Sequence, residues 1–157
     1  MVHNVLLWLF VVFSGIAVGA GLYELRVNVP RWFAPAAGSA IHINVDAIRS
    51  DDSGRRFWAY VTTVPLTLLT LTGCLVAWSP ETARERWWLL GAGVMLAERL
   101  GTFGYFIPEL LKLLRPEGLT GERAAQAARA WTRLNYIRAA LALAGWLAAL
   151  RALSLPG

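Results

Sequence analysis

Long apolar runs separated by short charged connections set the pattern of this chain. From Val5 the sequence carries no charge until Glu24, about enough residues to cross a bilayer as a helix. The run 57–78 is uncharged and bounded by Arg55-Arg56 and Ser79-Pro80. A third stretch, 91–114, is apolar enough to span, yet it holds Glu98 and Arg99 in its middle and Glu109 near its end. The last begins in alanine-rich, charged sequence at 120–129 and becomes uncharged and alanine-rich beyond Arg138. The pattern predicts spans at 5–28, 57–78, 87–114 and 120–153 within one domain, residues 1–157. The connection 79–86 is short enough to set the third helix antiparallel beside the second. The predicted fold class is all-α: a polytopic membrane protein, a four-transmembrane-helix up-down-up-down bundle.

The connections and breaks refine this picture. No Lys or Arg precedes the first apolar run, so a retained helix is expected there rather than a cleaved signal. Gly15 and Gly19 form a pair at helical spacing that lets another helix approach. On another face, Ala17, Gly21, Glu24 and Asn28 line up. Pro30 is expected to end this helix or open the connection. Residues 31–56 read as a loop with Pro35, Gly38 and a turn signal at Asp51-Asp52-Ser53-Gly54. Within it, 40–47 alternates Ile41, Ile43 and Val45 with His42, Asn44 and Asp46, the period of an extended piece, although eight residues are too few to exclude a short helix. That connection is placed to cap one end of the bundle, and a solvated loop with packed aliphatics fits equally well. Thr63, Thr67, Thr70 and Cys74 share a face of the second helix, where hydroxyls ordinarily serve packing. Pro65 is expected to kink that helix and Pro108 to bend the third. Arg115-Pro116-Glu117-Gly118 reads as a break.

Composition agrees with spans and narrows the partners. The chain is 57% hydrophobic and only 16% charged, and its charges gather between the apolar runs. Several of the eight Trp lie near run ends, where amphipathic rings anchor at the headgroup level. The net charge of +5 follows more simply from Lys and Arg in cytoplasmic loops than from a nucleic-acid partner. Arg26, Arg31, Arg49, Arg55 and Arg56 flank or fill the first connection. Lys112, Arg115, Arg123, Arg129 and Arg133 do the same for the third, against only Arg84, Arg86 and Arg151 on the other side. The expected localisation is an integral membrane protein of the bacterial inner membrane, with the first and third connections cytoplasmic. Lone Cys74 excludes an internal disulfide.

Candidate chemistry concentrates in one half of the predicted bundle. Glu98, Thr102, Tyr105 and Glu109 fall at i, i+4, i+7 and i+11, one face of a straight helix. Trp131, Asn135 and Arg138 share a face of the fourth. Glu24, Arg26, Arg55, Arg56 and Tyr60 belong to the same side, with Glu98 and Arg99 deeper. Ionisable residues within spans face protein or water and are functional candidates. Paired charges that merely fix helix register explain any one pair as well. Aromatic walls with a few convergent polar groups are how small-molecule pockets are built, and a carboxylate kept partly dry is a candidate general base. Metal spacing is missing: neither Glu-x-x-His nor His-x-x-x-His occurs, so no metal site is expected. His42 reads first as an ordinary loop residue, then as a base near a lipidic substrate, and last as a lone haem ligand. No phosphate loop or nucleophile elbow is present, and no cofactor is assigned.

Several short motifs resemble the anthrone oxygenase-like membrane family. They are Gly21-Leu22-Tyr23-Glu24 with Pro30-Arg31-Trp32, Phe57-Trp58, and Phe103-Gly104-Tyr105-Phe106-Ile107-Pro108-Glu109. The fullest is Trp131-Thr132-Arg133-Leu134-Asn135-Tyr136-Ile137-Arg138. The resemblance implies a membrane oxidoreductase that oxygenates anthrones without an obvious metal or flavin. It places Trp131, Asn135 and Arg138 in the pocket, with Glu109 and Tyr105 opposite.

These readings give an expected site. Glu109 or His42 removes a proton, and Arg138 and Asn135 hold the developing oxyanion. Trp131 stacks on the ring, and Tyr105, Tyr60, Glu24, Glu98 and Arg99 complete the substrate-binding walls. The substrate class is a hydrophobic phenol, anthrone or quinol. The alternatives are a small proton-coupled transporter or lipid-binding protein using Glu98 and Arg99, and a structural membrane subunit with inert ion pairs. Expected partners are membrane lipid, a hydrophobic small molecule and, as an option, a second copy of the chain; nucleic acid is not among them.

Overall fold

The computed structural model describes residues 1–35, 41–115 and 121–156. Gly38, Ala40, residues 116–118 and Thr120, on which parts of the expected loop, break and fourth helix fall, lie outside the described residues. The fold is all-α in character, with 87% of the described residues helical. Among the described residues, three helices are long and apolar enough to cross a membrane: Val2–Trp32, Arg56–Val76 and Gly121–Leu153.

The first rod consists of α1 (Val2–Tyr23), a π-helical turn Glu24–Asn28 and α2 (Val29–Trp32). Pro30 does not end it, contrary to expectation. A short antiparallel pair follows, β1 (Phe33–Pro35) with β2 (Ile41–Ile43), in the register Phe33↔Ile43, Ala34↔His42 and Pro35↔Ile41. Only this part of the expected extended piece is a strand. At Asn44 the backbone turns into α3 (Val45–Asp51), because the Asn44 side chain accepts a hydrogen bond from Ala47 N at 2.9 Å and caps the helix. Asp52, at φ 39°, ends it in the left-handed region, which Asp tolerates better than most residues.

A π-helical run of thirteen residues, Gly54–Leu66, continues as α4 (Thr67–Val76). Then α5 (Ala83–Gly101) leads through a π-helical turn Thr102–Phe106 into α6 (Ile107–Leu113). The start of α5 carries a capping box between Thr82 and Glu85. Backbone N–H groups of Thr82 and Glu81 donate to Glu85 Oε2 at 3.0 and 2.9 Å and hold its carboxyl below the ordinary value of 4.5. The last helix, α7 (Gly121–Leu153), is unbroken over 33 residues, about 50 Å at the α-helical rise.

One cause accounts for all three π-helical segments. A proline inside a helix lacks the N–H that the carbonyl four residues back would accept, and its ring collides with that carbonyl. Pro30, Pro65 and Pro108 point back to Arg26, Val61 and Gly104. Each of these lies inside one of the π-helical segments, where wider winding turns the carbonyl away. In α7, which has no proline, no such segment occurs.

Two apolar clusters form the core. One gathers Leu7, Phe10, Leu66, Trp88, Met95 and Ala149. The other gathers Leu25, Trp32, Ile48, Phe106, Ala128 and Trp131. The first owes its tightness to glycine: a Cβ on Gly91 would lie 2.9 Å from Gly145 O and 3.1 Å from Ala149 N, so α5 and α7 touch backbone to backbone. Of the expected Gly15–Gly19 pair, Gly15 meets Trp146 whereas Gly19 faces open space. The second cluster is closed by the first connection, whose Asp51 Oδ2 accepts the Trp32 indole N–H at 2.7 Å. Along the first rod, α5 and its continuation, and α7, Glu24, Glu98, Arg99, Thr102 and Asn135 fall between the two clusters, whereas buried Ser14 lies within the first.

Candidate functional site

Between the clusters lies a cavity of about 170 Å³. Its polar wall is made by Glu24, Glu98, Arg99, Thr102, Asn135 and Arg138, and its aromatic wall by Trp32, Trp58, Phe106 and Trp131. Glu24, Glu98, Arg99, Thr102 and Asn135 are all buried.

Glu24 sits in the first π-helical turn, and its Oε2 accepts the Trp58 indole N–H at 2.7 Å. Its other oxygen faces Arg138 Nη2 at 3.7 Å. Arg138 Nε stands 4.0 Å from Glu98 Oε1, which already accepts the Thr102 hydroxyl at 2.9 Å. Glu98 Oε2 is taken by the neighbouring Arg99 guanidinium. Two carboxylates thus face two guanidiniums, and the arrangement can close without net charge, as burial requires. Arg138 is also stacked 5.0 Å above the Phe106 ring, a cation–π contact that holds it in place. Trp131 donates its indole N–H to the Phe106 carbonyl at 3.1 Å and packs against the Trp32, Phe33 and Phe106 rings.

Not every polar group in this wall is satisfied. Asn135 is fully buried, and neither its Oδ1 nor its Nδ2 has a hydrogen-bond partner; Arg99 Nη1 is also without one. An unmet buried polar atom costs about 1–3 kcal/mol. Three together give this cavity wall both donors and an acceptor that the described side chains leave unmet.

No family model, no curated protein and no solved structure matches the chain.

The structure brings together most of the residues singled out from sequence, and it moves four of them away. Glu24, Glu98, Arg99, Trp131, Asn135 and Arg138 line the cavity. Glu109 does not: it pairs with Lys112 at 3.0 Å. Tyr105 is half-buried outside the lining, and Phe106 and Leu110 hold the places expected for Tyr105 and Glu109. The π-helical turn at Thr102–Phe106 inserts one residue, so the inward positions run 98, 102, 106 and 110. Tyr60 is 75% exposed, and Trp58 and Thr62 face the cavity in its stead. His42 is exposed on β2, because the alternation that turns Ile41 and Ile43 toward the second cluster turns it outward. Among the described residues, no three His, Cys, Asp or Glu side chains gather as a metal site.

Trp58, Thr62 and Phe106 were not singled out as site residues from the sequence. The available signal for Phe106 is Pro108: the inward face before it, expected at Tyr105, is advanced by one residue.

Proposed function

We propose that this chain is an integral membrane protein whose cavity binds the hydroxylated ring of a hydrophobic phenol or quinol and removes a proton from it. The fold proposed is a four-span up-down-up-down bundle in the bacterial inner membrane, the first and third connections cytoplasmic. Three helices have the length and apolarity for it. For α5 as the fourth span, the support is its burial against the others. Arg84 donates to Asn4 Oδ1 at 2.8 Å, Trp88 lies over Gly73, and Gly91 meets Gly145.

The observation that carries the binding reading is the unpartnered Asn135 amide beside Arg138. A hydroxyl donates to Asn135 Oδ1 and accepts from Nδ2 or from a guanidinium, meeting what the wall lacks. Size limits the guest. An engineered cavity of about 150 Å³ takes benzene, so about 170 Å³ admits one aromatic ring rather than the three fused rings of an anthrone.

Glu24 replaces Glu109 and His42 as the proposed base. Its Oε1 faces the cavity's guanidinium without a direct hydrogen bond, whereas both oxygens of Glu98 are engaged. With the proton on Glu24, the phenolate oxygen is held by Arg138 and Asn135, and the electron-rich ring is open to dioxygen dissolved in the bilayer. For a quinol, two electrons and two protons pass to dioxygen, giving quinone and hydrogen peroxide. This is the oxidoreductase activity we propose; unlike the oxygenation that the anthrone oxygenase-like resemblance implies, it inserts no oxygen atom into the ring. Purified protein should consume oxygen with a single-ring quinol well above the uncatalysed rate. Glu24→Gln should lower that rate by about 10²–10⁴-fold, the range for loss of a general base. Equal rates in the two proteins would remove Glu24 from the chemistry.

A further inference from the structure

The cavity opens in an informative direction. Thr63, in the long π-helical run, and Ile107, at the start of α6, line it and also reach the outer surface; Ile107 is 42% exposed. Neither lies at an end of the molecule. Thr63 follows Trp58, the partner of Glu24, by five residues, and Ile107 adjoins Phe106, the partner of Trp131. The opening is therefore at the level of the polar wall and on the flank. The surface beside it is apolar: Val64 is 58%, Phe103 40% and Leu111 53% exposed. Ser53 and Gly54, small residues where the long π-helical run begins, also line the cavity, and Gly54 is exposed.

Resting on the reading of the site given above, we infer that the ligand enters sideways from the bilayer between Thr63 and Ile107, and carries a hydrocarbon chain. The hydroxylated ring fills the cavity and meets Asn135 and Arg138. The chain leaves between Thr63 and Ile107 and lies along the apolar flank. The ring-sized volume has no room for the chain, and the flanking opening supplies the exit. In lipid a hydrocarbon chain gains little by exchanging lipid for protein contact. The chain thus decides where the ligand resides and by which mouth it enters, not how tightly the ring is held.

The test uses the full chain in lipid nanodiscs and two radiolabelled probes: a chainless methyl-substituted hydroquinone and the same ring with a decyl chain. With wild type both should bind saturably. In Thr63→Trp/Ile107→Trp the decyl probe should lose about tenfold or more in affinity while the chainless probe, entering past Gly54, stays within about twofold. Equal losses for both probes, or none for the decyl probe, would overturn the sideways entry and leave the ring site standing. Failure of both probes to bind wild type would overturn the site and this inference together. Should the double variant not fold, wild type settles the matter through a decyl probe with a diazirine on its first methylenes. Labelling within 54–66 and 107–113 is expected, and labelling confined to other segments contradicts the inference.

Discussion

Arg138 Nη2 stands 3.7 Å from Glu24 Oε1, near enough to attract and too far for a direct hydrogen bond. The guanidinium is held in place by Phe106 and balanced by two carboxylates, yet it keeps donors free for a guest. A pair built only to lock two helices would close this gap.

The pair should still matter for stability. Arg138→Leu leaves Glu24 buried without its cation and is expected to destabilise the fold by about 3–5 kcal/mol. Adding Glu24→Gln removes the stranded charge. The double variant should therefore be more stable than the sum of the single effects by about 0.5–3 kcal/mol. Thermal unfolding of the four proteins in detergent measures this coupling, and additive losses would show that the two groups do not interact.

Asn135→Leu should behave in the opposite way. The amide has no partner to lose, and an apolar side chain of similar size removes the penalty of about 1–3 kcal/mol per unmet atom. The unfolding midpoint of the ligand-free protein should stay level or rise by about 2–4 °C, the usual response to 1 kcal/mol at this size. A clear fall would mean that the folded protein already satisfies the amide.

At Gly91 the contact is backbone on backbone, so a methyl group there cannot be accommodated by rotating a side chain. Gly91→Ala should cost about 1–3 kcal/mol through overpacking. Gly93→Ala, two residues away with nothing within 4 Å, should be neutral or stabilising by up to about 1 kcal/mol. Similar unfolding midpoints for the two variants would contradict the close approach of α5 and α7.

The cap at Glu85 gives a pH dependence with a definite sign. The folded protein holds this carboxyl below its ordinary value of 4.5, so its contribution is fully present above that pH. It is lost as pH falls from there through the depressed folded value. The protection factors of the amides at the start of α5, taken against the intrinsic exchange rate at each pH, should fall over that window in wild type. In Glu85→Gln the same amides should exchange with no corresponding step.

How far the sequence could be read depended on whether a helix kept one winding. Trp131, Asn135 and Arg138 were placed on one face by straight α-helical spacing, and α7 is unbroken, so all three meet the cavity. The same spacing rule carried Glu98 and Thr102 correctly. It then failed at Tyr105 and Glu109, where the turn before Pro108 adds a residue and presents Phe106 and Leu110. In the first rod Ala17, Gly21 and Glu24 line the cavity, and the alignment stops at Asn28 after the turn before Pro30. Alternation puts Asn44 in an extended piece, whereas its side chain is the cap that starts α3. The three apolar helices were legible from composition. The lengthened faces were not, because hydropathy counts residues and does not register a change of winding.

The central claim is that the space between Glu24, Asn135 and Arg138 receives a hydroxylated ring. Calorimetric titration of the wild-type protein in nanodiscs with a chainless hydroquinone, repeated on Asn135→Leu, tests it most directly. Saturable binding of one molecule per chain, lost in a folded Asn135→Leu protein, is the result predicted. No binding to wild type, or equal binding to both proteins, would contradict it.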